Sequence, residues 1–254
     1  MGVQAFAGSE ETVWTVLAHE YKVYLECDSK REMTMIAGNE RKKNILIVHN
    51  YYQIPGGEDT VVANEKKMLE DHGHKIVLYS RNNSELKRIS KLQKLMLPFT
   101  TVFNPKTYRD IKRIIKSEQI DIVHVHNTLN LISPAVYYAA RAMKVPVVQT
   151  IHNFRLLCPG ATFYRDGHIC EDCVGHGLRC AVKHSCYRGS KIQTLACVIN
   201  TWFHRMTRIY GKINYICLTE FNKSKLLEFK QIKPEKVFVK PNFVVNEGSF
   251  VPKE

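Results

Sequence analysis

The 254-residue sequence lacks any apolar run of the roughly 18 residues that a membrane-spanning helix needs. It also lacks a secretion signal, because Glu10 and Glu11 stand where a basic leader would be and the apolar run at 13–18 is too short. These absences predict a cytoplasmic protein. In that reducing compartment the eight cysteines are expected to be free thiols or metal ligands rather than disulfides.

Acidic residues are also in short supply. The chain has 24 Asp and Glu against 37 Lys and Arg, a formal net charge of +13. The excess is concentrated between Arg81 and Glu118, where ten basic residues face three acidic ones. Such a balance favours an acidic partner, whether phosphate groups, anionic lipid or nucleic acid.

The chain does contain a regular alternation of strand and helix patterns from Asn44 onward. Continuous β-branched runs such as residues 45–48 are typical of strands buried on both faces of a parallel sheet. Strands are predicted at 45–48, 75–79, 121–126, 145–151, 215–218 and 236–239, with helices at 61–72, 108–117, 133–143, 190–210 and 220–229. This order predicts an α/β fold: one doubly wound, Rossmann-like parallel sheet. Residues 1–43 show neither pattern and form an extension of unknown structure.

In such a fold the ligand site lies at the carboxyl ends of the strands, which selects residues 49–58, 126–130 and 152–159. The turn with Gly56 and Gly57 lets backbone N–H groups approach a phosphate at a helix N-terminus. The alternative is a tight turn followed by Glu58 and Asp59 as first-turn acids. The turn does not match G-x-G-x-x-G, so a nicotinamide dinucleotide is disfavoured.

Three histidines mark the next two strand ends. His124 and His126 alternate along one strand and therefore share a face, as zinc ligands or as packed side chains. His126 and Asn127 at the strand tip are placed to hydrogen-bond sugar hydroxyls. His152 follows the next strand and suits hydrogen bonding or proton transfer, with a structural cap as the alternative.

A cysteine-rich loop at 155–189 shows no obvious secondary structure. Cys170 and Cys173 form a C-x-x-C hook, with Cys180 and Cys186 downstream. A second C-x-x-C is absent, so three interpretations stay open: structural zinc on these four residues, buried or free thiols, and disulfide or redox chemistry. A long irregular loop in a folded domain usually has either a structural cross-link or a function of its own, and this favours structural zinc.

The basic stretch at 86–96 combines lysines on one predicted helical face with apolar residues. Lys87, Lys91 and Lys94 provide the charge, and the apolar residues are Leu86, Ile89, Leu92, Leu95 and Met96. This composition is typical of a helix on an anionic membrane surface, and equally of a solvated helix face.

Residues 44–244 together resemble the N-terminal, acceptor-side domain of family 4 glycosyltransferases with the GT-B architecture. The resemblance rests on the Gly56-Gly57-Glu58 turn, the segments at 69–74 and 121–126, Thr150-Ile151-His152, and the closing segment 239–244. The insertion at 155–189 is similar to one found in a bacterial subgroup that builds cell-surface polysaccharides.

The resemblance implies roles for particular residues. Gly56 and Gly57 would face the diphosphate of a nucleotide-sugar donor, and His152 would be the catalytic residue that contacts the transferred sugar. Glu58, His126, Asn127 and Asn153 would complete the substrate-binding set. The acceptor would be a glycan, with a lipid-linked glycan favoured, and no catalytic metal is expected.

The family carries its nucleotide-binding residues in a C-terminal domain. Residues 245–254 would begin the linker to it, so this chain alone is expected to be inactive unless another chain supplies that half. An alternative is a non-catalytic acceptor-binding or membrane-docking module from a truncated or split gene. A third hypothesis, a nucleic-acid-binding protein stabilised by zinc, does not account for the α/β pattern. We therefore expect no nucleic-acid partner.

Overall fold

The computed structural model describes residues 42–243 with the exception of Pro55. Six parallel strands form the main sheet: β1 (Asn44–Tyr51), β2 (Lys75–Asn82), β3 (Ile122–Asn127), β4 (Val147–Ile151), β7 (Asn214–Cys217) and β8 (Val237–Val239). Their order across the sheet is β2-β1-β3-β4-β7-β8. A small antiparallel hairpin, β5 (Tyr164–Arg165) and β6 (His168–Ile169), stands apart.

Helices connect the strands as the doubly wound pattern predicts. They are α1 (Gly57–Asp71), α2 (Lys91–Val102), α3 (Pro105–Ser117), α4 (Ala135–Ala142), α5 (Asp172–Gly175), α6 (Arg179–Lys183), α7 (Lys191–Met206) and α8 (Glu220–Leu227). Short 3₁₀ segments lie at Asn83–Lys87, Ile209–Lys212 and Pro234–Lys236. Gly73 lies between α1 and β2 and has a φ of +83°, a left-handed backbone conformation that favours glycine.

The apolar core lies on both faces of the sheet. Alternate residues of β1 divide between the two faces, Ile45 and Ile47 on one and Leu46 and Val48 on the other, all fully buried. Helix α1 covers the first face, and helices α3, α4 and α8 cover the second. Each such aliphatic side chain contributes about 1.5–3 kcal/mol of stabilisation when it is fully buried. A core on both faces of a parallel sheet is the arrangement of an α/β fold, so the predicted fold class is confirmed.

The strand order reverses at β1, which pairs with β2 on one side and with β3 on the other. A crevice forms at such a switch point, outside the carboxyl ends of the strands. His49 near the end of β1, His126 near the end of β3 and His152 just after β4 therefore meet at one edge of the sheet. The predicted clustering of the glycine turn, His126 and His152 at this edge agrees with the structure.

Two local predictions were wrong. The insertion at 155–189 is not without regular structure, because it contains the β5–β6 hairpin and the short helices α5 and α6. Residues 86–96 do not form one helix: the 3₁₀ turn ends at Lys87 and α2 starts at Lys91. The reason is local capping, since the Ser90 hydroxyl accepts from the Gln93 amide at 3.2 Å and starts a new helix there.

The predicted extension at 1–43 and the predicted linker at 245–254 lie outside the described residues, apart from Lys42 and Lys43. Across the residues that the structure describes, no helix is both long and apolar enough to cross a membrane.

Candidate active site at the carboxyl edge of the sheet

His126 and His152 stack at the ends of neighbouring strands β3 and β4. Their rings lie 5.3 Å apart with an interplanar angle of 23°, and His126 Nδ1 is 3.0 Å from His152 Nε2. His124 is two residues earlier on the same face and hydrogen-bonds Thr150 Oγ1 at 2.8 Å. The prediction that His124 and His126 share a face is thus confirmed by their contacts.

A buried ion pair lies beneath these histidines. Glu65, from the inner face of α1, places Oε2 3.2 Å from His126 Nε2 and 3.8 Å from His124 Nε2. The ammonium of Lys240, just after β8, contacts Glu65, and both side chains are 1% exposed. Burial raises the pKa of Glu65, but the Lys240 charge and the histidines outweigh it, so the pKa stays well below its usual value.

The carboxylate of Glu65 lies close to the histidine pair but outside hydrogen-bond geometry. Its Oε2 is 3.2 Å from His126 Nε2, yet each of these buried atoms lacks a hydrogen-bond partner among the described residues. The hydrogen bond within the pair joins His126 Nδ1 and His152 Nε2, so one of these two nitrogens carries the proton. If His152 donates from Nε2, its Nδ1 is left as an acceptor for a hydroxyl group.

His152 is a neutral imidazole at physiological pH. Burial first, and then electrostatic interaction with the neighbouring His126, lowers the pKa of His152 to about 3. The same two causes lower the pKa of His124 to about 3. A neutral histidine orients a hydroxyl well but is a weak base.

The glycine turn faces the same edge and carries a second set of charges. Asp59 accepts from the Gly56 amide at 3.0 Å and contacts His49 Nε2 at 2.8 Å. A Cβ added to Gly56 or Gly57 would meet nothing within 4 Å. Burial, followed by the Asp59 charge, raises the pKa of Glu58 to about 7, so Glu58 titrates near neutrality.

The two predicted asparagines have protein partners in this structure. Asn127 donates to the Asn50 carbonyl at 2.9 Å and to Glu58 Oε1 at 3.1 Å, and accepts from the Leu129 amide at 3.0 Å. Asn153 Oδ1 accepts from the Arg155 amide at 3.1 Å. Asn127 therefore joins the ends of β1 and β3 to α1, and the substrate role of both asparagines stays a prediction.

A cleft opens beside His152. Its floor comes from β3 and β4, and one wall comes from the inward face of α7. The residues that line it are His126, Asn127, Thr128, Leu129, Pro134, Tyr137, Gln149, Thr150, Ile151, His152, Asn153, Arg155, Leu156, Asn200, Thr201 and Tyr210. Arg155, from the segment after β4, also lines the cleft, and its charge acts on Glu58.

Within the described part of the chain, two groups of side chains have the donor chemistry for a divalent ion. The ligand atoms of Glu65, His124 and His126 lie within 4.8 Å of one another, as do those of His49, Glu58 and Asp59. At the first group the Lys240 ammonium already neutralises Glu65. Neither group includes a cysteine.

Three of the four cysteines predicted as zinc ligands, Cys170, Cys173, Cys180 and Cys186, lie in one cluster, because Cys180 and Cys186 pack against the buried Cys173. Four zinc-bound sulfurs lie roughly 4 Å apart, whereas among residues 42–54 and 56–243 no ligand group within 4.8 Å contains these sulfurs. Cys173 packs with Leu178 and Ala181, and burial raises its pKa to about 12, so it is a protonated thiol. The same thiols are not paired as disulfides, and structural zinc stays a prediction.

Sequence analysis missed Glu65 and Lys240. Glu65 interrupts the apolar stripe of α1 between Val62 and Met68. Because a buried carboxylate is almost always paired, a glutamate at such a position indicates a buried partner of opposite charge. Lys240 directly follows the apolar strand β8, but its partner is 175 residues away. Their pairing is therefore a product of the tertiary fold.

Comparison with known proteins adds two curated relatives. An uncharacterized 42.6 kDa protein in the cps region of Klebsiella pneumoniae is 31% identical over 120 residues, 44% of this chain and 32% of that protein. Alpha-monoglucosyldiacylglycerol synthase of Streptococcus pneumoniae (strain ATCC BAA-255 / R6) is 26% identical over 115 residues, 42% of this chain and 26% of the enzyme. The matched segments thus span about a third or less of these relatives.

Among solved structures, an S. aureus MnaA-UDP co-structure aligns with a TM-score of 0.45 and 14% identity, covering 79% of this chain and 44% of that one. UDP-GlcNAc 2-epimerase from Methanocaldococcus jannaschii aligns with a TM-score of 0.41 and 16% identity, covering 77% and 45%. The family model for Glycosyltransferase Family 4 matches residues 55–247, well over half of the sequence. The chain belongs to glycosyltransferase family 4.

Proposed function

We propose that this chain is the acceptor-side half of an enzyme that transfers a sugar from a nucleotide-sugar to a lipid-linked glycan acceptor in cell-surface polysaccharide synthesis. Family membership supports sugar transfer in general. The name of the S. pneumoniae relative, a synthase of a glucosylated diacylglycerol, favours an acceptor carried on lipid. The observation that carries the proposal is the neutral His152 at the mouth of the cleft, hydrogen-bonded to His126, with the buried Glu65–Lys240 ion pair beneath them.

In this proposal His152 Nδ1 accepts a hydrogen bond from a sugar hydroxyl and fixes the transferred sugar for attack. An acceptor oxygen then bonds to the anomeric carbon while the bond to the diphosphate breaks, and the nucleoside diphosphate leaves with the bonding electrons. The acceptor hydroxyl passes its proton to a phosphate oxygen of the departing nucleoside diphosphate. Positioning and stabilisation of the departing charge supply the rate enhancement.

The charged leaving group would lie against the turn at Gly56 and Gly57, where an added Cβ would meet no atom within 4 Å, and it would replace Asp59 as the acceptor for the Gly56 amide. Backbone N–H groups at the start of α1 favour negative charge there. Arg155, whose charge acts on Glu58 in the first turn of α1, adds a cation. Backbone donors and arginine perform this task without a divalent ion, so the proposed chemistry requires no catalytic metal.

The nucleotide-binding half belongs to the proposal as well. We infer that it follows a linker beginning at residues 245–254, or that a partner chain supplies it. Without that half, this chain binds acceptor but turns over donor negligibly. The functional test therefore uses this chain together with the nucleotide-binding half.

The test compares wild type with His152→Ala in an assay of nucleoside diphosphate release from nucleotide-sugars with extracted lipid-linked glycans. Loss of the positioning group should lower turnover by about 10²–10⁴-fold. His168→Ala, in the exposed hairpin, is the matched control and should retain wild-type turnover. Equal turnover in His152→Ala and wild type would refute the assignment. Acceptor binding without turnover, even with the second half present, would instead establish a non-catalytic module.

A further inference from the structure

Helix α7 buries polar side chains and exposes apolar ones, the reverse of the usual amphipathic helix. Its buried positions include polar residues, Thr194, Asn200, Thr201 and His204. Its exposed positions are apolar and recur at helical spacing: Ile192, Leu195, Ile199, Trp202 and Met206, between 45% and 80% exposed. A surface helix normally turns its apolar stripe toward the core. The outward stripe of α7 therefore needs an apolar or interfacial partner.

Helix α2 packs beside α7 and repeats the pattern. His204 Nε2 donates to the Val102 carbonyl at 2.9 Å and ties the end of α2 to α7. The exposed apolar residues of α2 are Leu92, Leu95, Met96 and Phe99, one face of the helix, between 45% and 70% exposed. The two helices together expose nine large apolar side chains, which we call the α2–α7 face.

Both helices lie in segments without a single carboxylate. No Asp or Glu occurs at 86–109 or at 173–219, while these segments contain six and seven Lys or Arg. Six of these cations flank the N-terminal ends of the two helices and are exposed: Lys87, Arg88, Lys91, Lys94, Arg188 and Lys191. The ion pairs among the described residues involve none of them. An apolar stripe flanked by cations without an acidic partner matches an anionic lipid surface.

We propose that the α2–α7 face docks on the surface of an anionic bilayer, with the apolar side chains in the interface and the six cations against lipid phosphates. A second copy of this chain is a poorer occupant, because a symmetric contact would bring the two cationic rims together. The proposal extends the basic stretch at 86–96 to a two-helix surface in which Trp202 is an interfacial anchor.

The docking surface is physically continuous with the candidate site. Asn200 and Thr201, on the inward side of α7, line the cleft next to His152. Ile199 and Trp202, their immediate neighbours, point outward. Docking through α7 therefore brings the mouth of the cleft within about one helix diameter, roughly 10 Å, of the lipid surface.

Cosedimentation of the full chain with vesicles tests the proposal. The probes are vesicles of pure phosphatidylcholine and vesicles with 30% phosphatidylglycerol. Wild type should partition at least about tenfold more strongly onto the anionic vesicles, and the difference should shrink as salt screens the charges. Leu95→Ser with Trp202→Ser, and separately Lys91→Glu with Lys94→Glu, should each weaken partitioning by about tenfold or more.

Two control variants carry the same kinds of substitution at exposed positions outside the α2–α7 face. Ile169→Ser removes an apolar side chain that is 77% exposed on the hairpin. Lys230→Glu with Lys233→Glu reverses two exposed charges near the C-terminal end of α8. Both controls should bind anionic vesicles like wild type. All four altered proteins change exposed residues, so their melting temperatures should match that of wild type.

Tryptophan fluorescence tests where contact occurs. The chain has two tryptophans, Trp14 and Trp202, so Trp14→Phe leaves Trp202 as the sole reporter. Its emission should shift to shorter wavelength with anionic vesicles and be quenched by brominated lipid chains. No shift, or unchanged partitioning of the α2–α7 substitutions, would overturn the proposal. A dimer in solution that these substitutions dissociate, without vesicle binding, would assign the face to a second copy instead.

Discussion

At the scale of single residues, burial rather than residue type determines the charges around the candidate site. The carboxyl of Glu58 has a pKa raised to about 7, while the pKa of Glu65 is held well below its usual value. Both lie on α1 and both are desolvated. Of the two, only Glu65 has an ammonium partner, Lys240, whose charge together with the neighbouring histidines reverses the direction of the shift.

Glu58 should make stability depend on pH near neutrality. Its folded pKa of about 7 is above the ordinary 4.5, so the folded state retains a proton that the unfolded state releases between these values. Stability from this group is present at low pH and is lost as pH rises through 7. Glu58→Gln keeps the acceptor for Asn127 but cannot ionise, so it should melt above wild type at pH 8 and close to it at pH 4.5.

Melting curves from pH 4.5 to 8 measure this difference. Exposed Glu235→Gln is the control and should show no pH-dependent gap from wild type. A gap of the same size at pH 4.5 and pH 8 for Glu58→Gln would mean that Glu58 does not titrate in this window.

The Glu65–Lys240 pair should behave as a coupled buried unit. Lys240→Met leaves the Glu65 carboxylate without its ammonium, and Glu65→Leu leaves the ammonium alone, so each should cost about 3–5 kcal/mol of unfolding free energy. The double replacement removes both charges and should cost clearly less than the sum.

Urea denaturation of the four proteins in this cycle gives the coupling energy. The exposed Lys75–Glu118 pair, 2.8 Å apart, provides the comparison cycle, with an expected coupling of at most about 1 kcal/mol. Additive losses at Glu65 and Lys240 would contradict a buried ion pair.

At the scale of elements, α7 is held by polar contacts rather than by an apolar stripe. His204 is the central contact: its Nε2 donates to the Val102 carbonyl and its Nδ1 lies 2.8 Å from the Tyr138 hydroxyl. Helix α2 is exposed over most of its length, so this contact is a main tie to the rest of the domain.

Removing the His204–Val102 hydrogen bond should destabilise α2 more than the neighbouring helices. His204→Ala removes the donor to Val102, so amide hydrogen exchange should accelerate in Lys91–Val102 more than in Pro105–Ser117, which buries Ile111 and Ile115. Met206→Ala, on the exposed side of α7, should leave exchange in both helices unchanged. Equal acceleration in both helices, measured by mass spectrometry, would show global destabilisation instead.

At the scale of the whole molecule, the fold should be acid-labile because it buries neutral histidines. Burial lowers the pKa of His124 and His152 to about 3 and of His204 to about 4. The unfolded chain binds protons near pH 6.5, so stability present above that pH is lost as pH falls toward these values. Between pH 6.5 and 5 each histidine contributes a loss of up to about 2 kcal/mol, and three together outweigh the opposite effect of Glu58.

The urea midpoint should therefore be lower at pH 5 than at pH 7. His204→Gln retains a donor for Val102 but does not titrate in this range, so its midpoint should fall less over the same interval. A midpoint that is equal at the two pH values in wild type would contradict the buried neutral state of these histidines.

The sequence by itself determined the succession of strands and helices, because apolar periodicity is a local property of neighbouring residues. It also determined that His126 and His152 lie at strand ends, and parallel strands place such ends at one edge. The start of α2 escaped prediction because the capping bonds of Ser90 override the apolar pattern of residues 86–96.

Only the tertiary structure decided which of these residues touch. His152 meets His126 because β3 pairs with β4, and Lys240 meets Glu65 across 175 residues of chain. The low pKa of His152 and the raised pKa of Glu58 follow from desolvation, which depends on what packs above each side chain. Local periodicity carries no information on such long-range contacts, so the chemistry of the site emerges only when the chain is folded.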